Sequence, residues 1–180
     1  KRANIGIAMG QRGTEVAKEA ADVVLADDNF ETILRAVEGG RTIYSNITKF
    51  VHMMFSHNLG EVLVIFTAIA AGWPLPLLPL QILWMNLVTD VFPALALAVE
   101  PPSKDIMSQP PLSADTTLLS KPFVVLIGWQ AVMLATIVLS AYMWALDVYG
   151  PSPHSRTIAL FALVAVQLGR ERGAFEGDRD

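Results

Sequence analysis

The chain contains no cysteine. Disulfide frameworks, thiolate metal sites and cysteine nucleophiles are therefore excluded, while the redox compartment stays open. Charge is scarce as well: 17% of the 180 residues are charged, and the net charge of −4 is spread along the chain, which argues against a nucleic-acid partner. The sequence opens at Lys1 with neither an initiator Met nor a signal-peptide pattern, and runs directly into a strand-like stretch. It reads as part of a longer polypeptide. What it has in abundance is apolar residues, at 53% of the chain with a mean hydropathy of +0.45. That is too greasy for an ordinary soluble domain and points to a multi-pass membrane protein in contact with a lipid bilayer.

The first residues are the exception. An apolar stretch over 5–9, a turn over 10–13, a helix starting after Thr14 and a second stretch, Val23-Val24-Leu25-Ala26, predict a parallel βαβ unit. Thr14 is the expected N-cap, with Glu15 in the positive first turn. Gly6, Gly10 and Gly13 match neither the dinucleotide nor the Walker spacing, so turn geometry accounts for them. Asp27-Asp28-Asn29 then caps a helix whose apolar face is Phe30, Ile33, Leu34 and Val37, with Gly39-Gly40 either breaking or thinning it.

From Arg41 a helical pattern runs without proline to Pro74, polar at first and apolar from Phe50. At ~1.5 Å per residue this is a rod on the order of 45 Å, longer than a bilayer's hydrocarbon core. The pattern predicts a stalk over 41–57 leading into a membrane helix over 50–72. After the hairpin Gly72-Trp73-Pro74-Leu75-Pro76 a second span is expected over 80–99, then a polar, proline-rich loop over 100–121. Residues 123–146 carry no charge and make the clearest span, expected over 122–146. A turn over 147–155 and a short apolar segment over 156–170 give a possible further span, followed by a charged tail over 171–180. With about four spans, every one of the 13 Lys and Arg except Arg156 falls on one side. By the positive-inside rule that side, holding the N-terminal part and the tail, is cytosolic. The expected fold is thus mainly α: a polytopic helical bundle with a small N-terminal α/β remnant over 1–40.

Two carboxylates interrupt the apolar stretches, and ionisable groups at membrane depth usually mark an ion or substrate path. Asn58 lies one helical turn before Glu61; Asn86 and Thr89 stand four and one residues before Asp90. Such spacings put each set on one helix face, and two antiparallel helices can turn those faces together. Carboxylates, amide carbonyls and a hydroxyl suit a hard cation, and no soft ligand is offered. Pro93 adds to this, because it has no N–H for the carbonyl of Thr89 and so opens the helix beside Asp90. His52 and His57, at the stalk end, read as interfacial or packing residues. The same buried polar groups can instead serve as interhelical hydrogen-bond glue or as a proton relay.

The motifs then carry a resemblance. Lys1-Arg2-Ala3-Asn4-Ile5-Gly6-Ile7-Ala8-Met9-Gly10, Gly13-Thr14-Glu15-Val16-Ala17-Lys18, Ala21-Asp22-Val23-Val24-Leu25-Ala26-Asp27-Asp28-Asn29-Phe30 and Gly40-Arg41-Thr42-Ile43-Tyr44 resemble the end of the HAD-like phosphorylation domain of P-type cation-transporting ATPases. Ser56-His57-Asn58-Leu59-Gly60-Glu61-Val62 and Leu83-Trp84-Met85-Asn86-Leu87-Val88-Thr89-Asp90 resemble the fifth and sixth membrane helices of the calcium-pump branch. Pro101-Pro102, Asp105-Ile106-Met107 and Pro110-Pro111 resemble the loop that follows.

The resemblance implies that Asn58, Glu61, Asn86, Thr89 and Asp90 are calcium ligands, and that Gln167 falls where the eighth helix contributes an oxygen. Asn86 and Glu61 both favour a sarcoplasmic-reticulum-like calcium site over sodium/potassium or secretory-pathway pumps. Ca²⁺ is the implied transported ion. ATP and Mg²⁺ are implied for the parent protein but bound outside these residues, since the DKTGT, TGE and TGDGxNDA motifs are absent. No catalytic residue is expected in this chain, which would be incomplete as a catalyst alone and would act with the remaining domains of the same pump. The rival expectations are a non-enzymatic remnant or accessory membrane protein, and a pump for H⁺ or a monovalent cation.

Overall fold

The computed structural model describes residues 4–103, 105–111 and 120–176, with side chains as far as 169. Its elements are β1 (Ile7–Met9), α1 (Glu15–Ala20), β2 (Val23–Leu25), α2 (Phe30–Ala70), α3 (Pro79–Ala98), α4 (Lys121–Tyr149) and α5 (Pro153–Glu176). They divide into two compact units, Lys1–Thr42 and Ile43–Asp180.

In the first unit β1 and β2 pair in parallel, with Ile7 opposite Val23 and Met9 opposite Leu25, as the βαβ reading expects. The Thr14 hydroxyl accepts from Ala17 N–H at 3.3 Å and caps α1. The loop after β1 is fixed by Asp28, whose carboxylate accepts from Gln11 N–H at 2.9 Å and Arg12 N–H at 2.8 Å. Asp28 adopts φ 51° to do this, a left-handed conformation that Asp tolerates better than most residues. Asn29 Oδ1 accepts from Glu31 N–H at 3.0 Å, and Thr32 Oγ1 donates to Asp27. The Asp27-Asp28-Asn29 cap thus serves both the loop and the start of α2. Gly39-Gly40 do not break that helix, which continues for 41 residues.

In the second unit each helix buries one stripe. On α3 it is Met85, Thr89, Pro93 and Leu97, four residues apart throughout; on α5 it is Ser155, Ala159, Leu163 and Gln167 at the same interval. On α2 the stripe is Ser56, His57, Gly60, Glu61, Val64 and Ala68, and on α4 it includes Ile127, Ala131, Leu134, Val138, Tyr142 and Ala145. Val64, Leu77, Met85, Leu134, Ala135, Val138 and Leu163 form the core where these stripes meet. α2 passes α4 over Gly60, where a Cβ would lie 2.8 Å from Leu134 Cδ2. The outward faces carry large apolar side chains, among them Phe66, Leu83, Val125 and Phe161, all at least two-thirds exposed. Small and polar residues inside with apolar residues outside is the arrangement of helices that pack in lipid.

Among the described residues three helices, α2, α3 and α4, are long and apolar enough to cross a membrane. The segment expected as a further span over 156–170 is helical, within α5, and is not one of the three. The turn expected over 147–155 is shorter than the sequence suggests. Gly150 N–H closes the end of α4 on Leu146 O at 2.9 Å, and α5 already starts at Pro153, a residue suited to a first helical turn. Ser155 Oγ bonds back to Gly150 O at 2.6 Å and Ala145 O at 3.2 Å. The earlier hairpin is tied to α4, since Tyr142 donates to Pro74 O at 2.8 Å. Residues 104 and 112–119 of the expected loop, 1–3 and the end of the expected tail, 177–180, lie outside the described residues.

Candidate cation site

α2 and α3 run antiparallel, and their polar residues meet in successive pairs. The amide of Asn86, oriented with its nitrogen toward α2, donates to both carboxylate oxygens of Glu61 at 3.1 Å. One turn earlier on α2 and one turn later on α3, His57 Nδ1 faces Asp90 Oδ1 at 3.8 Å. Further along the same seam Asn46 Nδ2 donates to Glu100 O at 3.1 Å, and Lys49 Nζ lies 3.4 Å from Glu100 Oε1. A third helix closes the first pair: Gln167 Nε2 on α5 donates to Glu61 Oε1 at 3.0 Å. Glu61 is 4% exposed and Gln167 is fully buried.

A buried carboxylate is costly unless its oxygens are satisfied. The Glu61 carboxyl oxygens accept from the amide N–H groups of Asn86 and Gln167. Three buried atoms around it have no hydrogen-bond partner: Gln167 Oε1, Asp90 Oδ1 and His57 Nδ1. Unpaired oxygens beside a buried carboxyl group are what an oxygen-seeking cation requires. No group of three His, Cys, Asp or Glu close enough to hold a metal occurs among the described residues. Any ion here would therefore rely on amide, hydroxyl, backbone or water oxygens as well as carboxylates.

The structure brings Glu61, Asn86 and Gln167 together and sets Asp90 against His57. Thr89 is buried, and its hydroxyl donates to Met85 O of its own helix at 3.0 Å. Asn58 is half-buried, and its amide donates to Met54 O at 2.8 Å. The α2 residues facing α3 are thus His57 and Glu61, four apart. The sequence reads His57 as interfacial or packing; the signal for its facing α3 is that an i, i+4 pair shares a face as well as an i, i+3 pair does. His52 packs against Phe123, with ring centroids 5.0 Å apart and planes tilted by 46°. Closer to Glu100, a cavity of about 280 Å³ is lined by Ile43, Ile47, Phe50, Ala94, Leu97, Ala98 and Asn46, too apolar to bind an ion.

Apolar-faced helices around a buried acid–amide cluster define a multi-pass membrane protein with a polar interior. Residues 74–171 match the family described as cation transporting ATPase, C-terminus, and the chain belongs to the P-type cation-transporting ATPases. It is 48% identical over 145 residues to calcium-transporting ATPase 1 of Bacillus cereus, covering 79% of this chain and 16% of that protein. It is 56% identical over 120 residues to the endoplasmic reticulum-type calcium-transporting ATPase 4 of Arabidopsis thaliana, covering 67% of this chain and 11% of that protein. A Mycobacterium tuberculosis protein named "Probable cation-transporting ATPase F" is 44% identical over 174 residues, 93% of this chain and 18% of its own length. The chain thus spans less than a fifth of each of these relatives.

Proposed function

We propose that this chain forms the membrane cation-binding portion of an ATP-driven P-type pump whose cargo is Ca²⁺. The observation that carries the reading is the junction of Glu61, Asn86 and Gln167 from three helices, with Asp90 Oδ1 and Gln167 Oε1 buried and unpaired beside it. Glu61 and Asp90 supply the charge, Asn86 and Gln167 supply amide oxygens once their amides turn, and Thr89 and Asn58 add a hydroxyl and an amide from adjacent turns. Pro93 supports the reading, since it leaves the Thr89 carbonyl without an intrahelical donor. Calcium-transporting ATPases among the relatives favour Ca²⁺ over other ions.

In this reading residues 1–40 are the end of the HAD-like phosphorylation domain, and 41–57 are the stalk through which phosphorylation elsewhere in the pump alters the site. Both lie on the cytosolic side with the loop over 100–121 and the tail. The 156–170 segment of α5 is the fourth span, which inserts with its charged end at the surface. ATP and Mg²⁺ act in domains beyond these residues. The test is phosphoenzyme formation from ATP in the full-length protein, titrated with Ca²⁺. Glu61→Gln and Asp90→Asn are expected to raise the Ca²⁺ concentration needed by tenfold or more, on the order of 1.4 kcal/mol. An unchanged Ca²⁺ dependence in both variants overturns the ligand assignment.

A further inference from the structure

The polar seam between α2 and α3 continues past the cation site to Glu100, just beyond the end of α3. Glu100 is tied to α3 by its own N–H, which donates to Leu97 O at 3.3 Å. It is tied to α2 twice: Asn46 Nδ2 donates to its main-chain oxygen at 3.1 Å, and Lys49 Nζ lies 3.4 Å from its Oε1. Asn46 and Lys49 are three residues apart on α2 and so share a face. The clasp is sheltered, with the Glu100 side chain 15% exposed and its Oε2 buried without a partner. Between Glu100 and Pro93 the two helices do not close on each other, because the cavity of about 280 Å³ is lined by Ile43, Ile47 and Phe50 of α2 and by Ala94, Leu97 and Ala98 of α3. Well-packed interiors hold few voids larger than a water molecule. Packing is therefore incomplete along this stretch, and the clasp fixes its end.

At its other end the same stretch begins at Pro93, inside α3, where the proline supplies no N–H for the Thr89 carbonyl and crowds the turn. Residues 94–100 are thus a short strap, hinged at Pro93 and fastened at Glu100. We propose that Glu100, fastened by Lys49 and Asn46, is a positioning residue for the cation site, setting how Thr89 and Asp90 present their oxygens without touching the ion. α2 is one continuous helix from Phe30 to Ala70, so a rotation about its axis carries Asn46, Lys49 and Glu61 together. With the clasp shut, α3 follows that rotation on both sides of Pro93. With the clasp open, only the Glu61–Asn86 contact transmits it, and the turn that carries Asp90 is free to lag. The inference rests on the cation-pump reading and adds to it residues outside the oxygen cluster.

Its test is Ca²⁺-titrated phosphoenzyme formation from ATP in the full-length protein, with Lys49→Met, Glu100→Gln and the double variant beside wild type. Each single change is expected to raise the half-saturating Ca²⁺ concentration by about fivefold or more, the lower end of coupling between separate sites. The double variant should shift no further than the worse single one, because both remove the same contact. Glu100→Asp keeps the charge but draws it back by one methylene; it should shift in the same direction and serves if Glu100→Gln fails to fold. A merely structural role would lower the amount of phosphoenzyme and leave its half-saturation where it was. Spin labels at positions 43 and 99, both exposed, give a second readout: the distance distribution should broaden in Glu100→Gln or Glu100→Asp. Unchanged half-saturation in the variants, or shifts that add in the double variant, overturns the clasp and leaves the calcium reading standing. Wild-type phosphoenzyme that ignores Ca²⁺ removes the calcium reading instead. The clasp is then decided by the spin-label distance, and a distribution unchanged from wild type overturns it.

Discussion

Gln167 Nε2 donates to Glu61 Oε1 at 3.0 Å, joining α5 to α2 across 106 residues of sequence. The bond satisfies a buried carboxylate and fixes the rotation of α5, whose other buried residues, Ser155, Ala159 and Leu163, are small or apolar. Gln167→Leu keeps the volume roughly constant but removes the donor. The expected cost is about 1–3 kcal/mol, that of leaving a buried polar group short of a partner, read as a lower thermal midpoint in detergent. Gln167→Glu sets a second carboxylate against Glu61 and should be less stable still without divalent cations. Added Ca²⁺ should raise its midpoint more than that of the wild type, since the ion relieves repulsion between the two acids.

Gly60 and Leu134 make a second testable contact. Leu134 is fully buried, and an added methyl at Gly60 would meet its Cδ2 at 2.8 Å. Gly60→Ala is expected to destabilise by about 1–3 kcal/mol through overpacking, and Leu134→Ala by about 2–5 kcal/mol through the cavity it leaves. The double variant should be more stable than the sum predicts, because each change relieves the defect of the other. A double-mutant cycle by chemical denaturation in detergent, with a coupling near ~1 kcal/mol or above, checks this.

In the N-terminal unit, hydrogen bonds from the backbone N–H groups of Gln11 and Arg12 hold the Asp28 carboxyl below its ordinary value of 3.8. A carboxylate with a lowered folded pKa contributes stability above its unfolded value and loses it as pH falls through the folded value. Protection of the Gln11 and Arg12 amides against hydrogen exchange should therefore be constant above the ordinary Asp value and decline below it. Asp28→Asn tolerates φ 51° but lacks the charge, so its protection should be lower at neutral pH and show no such decline.

Much of this architecture was legible in the sequence, and the reasons differ by element. Thr14, Asp27 and Asn29 act through local hydrogen bonds, which a sequence shows directly, whereas Asp28 reaches back to Gln11 and Arg12, a contact no local pattern gives. The i, i+4 spacing of Asn86 and Asp90 fixed their common face before any partner helix was known. Gly39-Gly40 could not be settled, because two glycines cost only about 1 kcal/mol each against alanine and a long flanking helix outweighs that. The rotation of α2 against α3 was equally hidden: Glu61 shares a face with both Asn58 and His57, and only packing chooses His57. Gln167 was reached through the family resemblance alone, since no local pattern connects residue 167 to residue 61.

Pro93 offers the sharpest separation of stability from function. It is buried inside α3, four residues after Thr89, where its ring removes one backbone hydrogen bond and crowds the preceding turn. Pro93→Ala restores an N–H for the Thr89 carbonyl and lets the helix straighten, offset in part by the smaller buried side chain. If that carbonyl serves the cation, the variant should hold or raise its thermal midpoint while the Ca²⁺ concentration for half-maximal phosphoenzyme rises about tenfold, or ~1.4 kcal/mol. Pro93→Gly also restores the N–H but leaves the backbone loose, so it should lose stability and recover part of the affinity. Equal Ca²⁺ dependence in wild type, Pro93→Ala and Pro93→Gly would mean that the opened turn shapes the helix without contributing an oxygen.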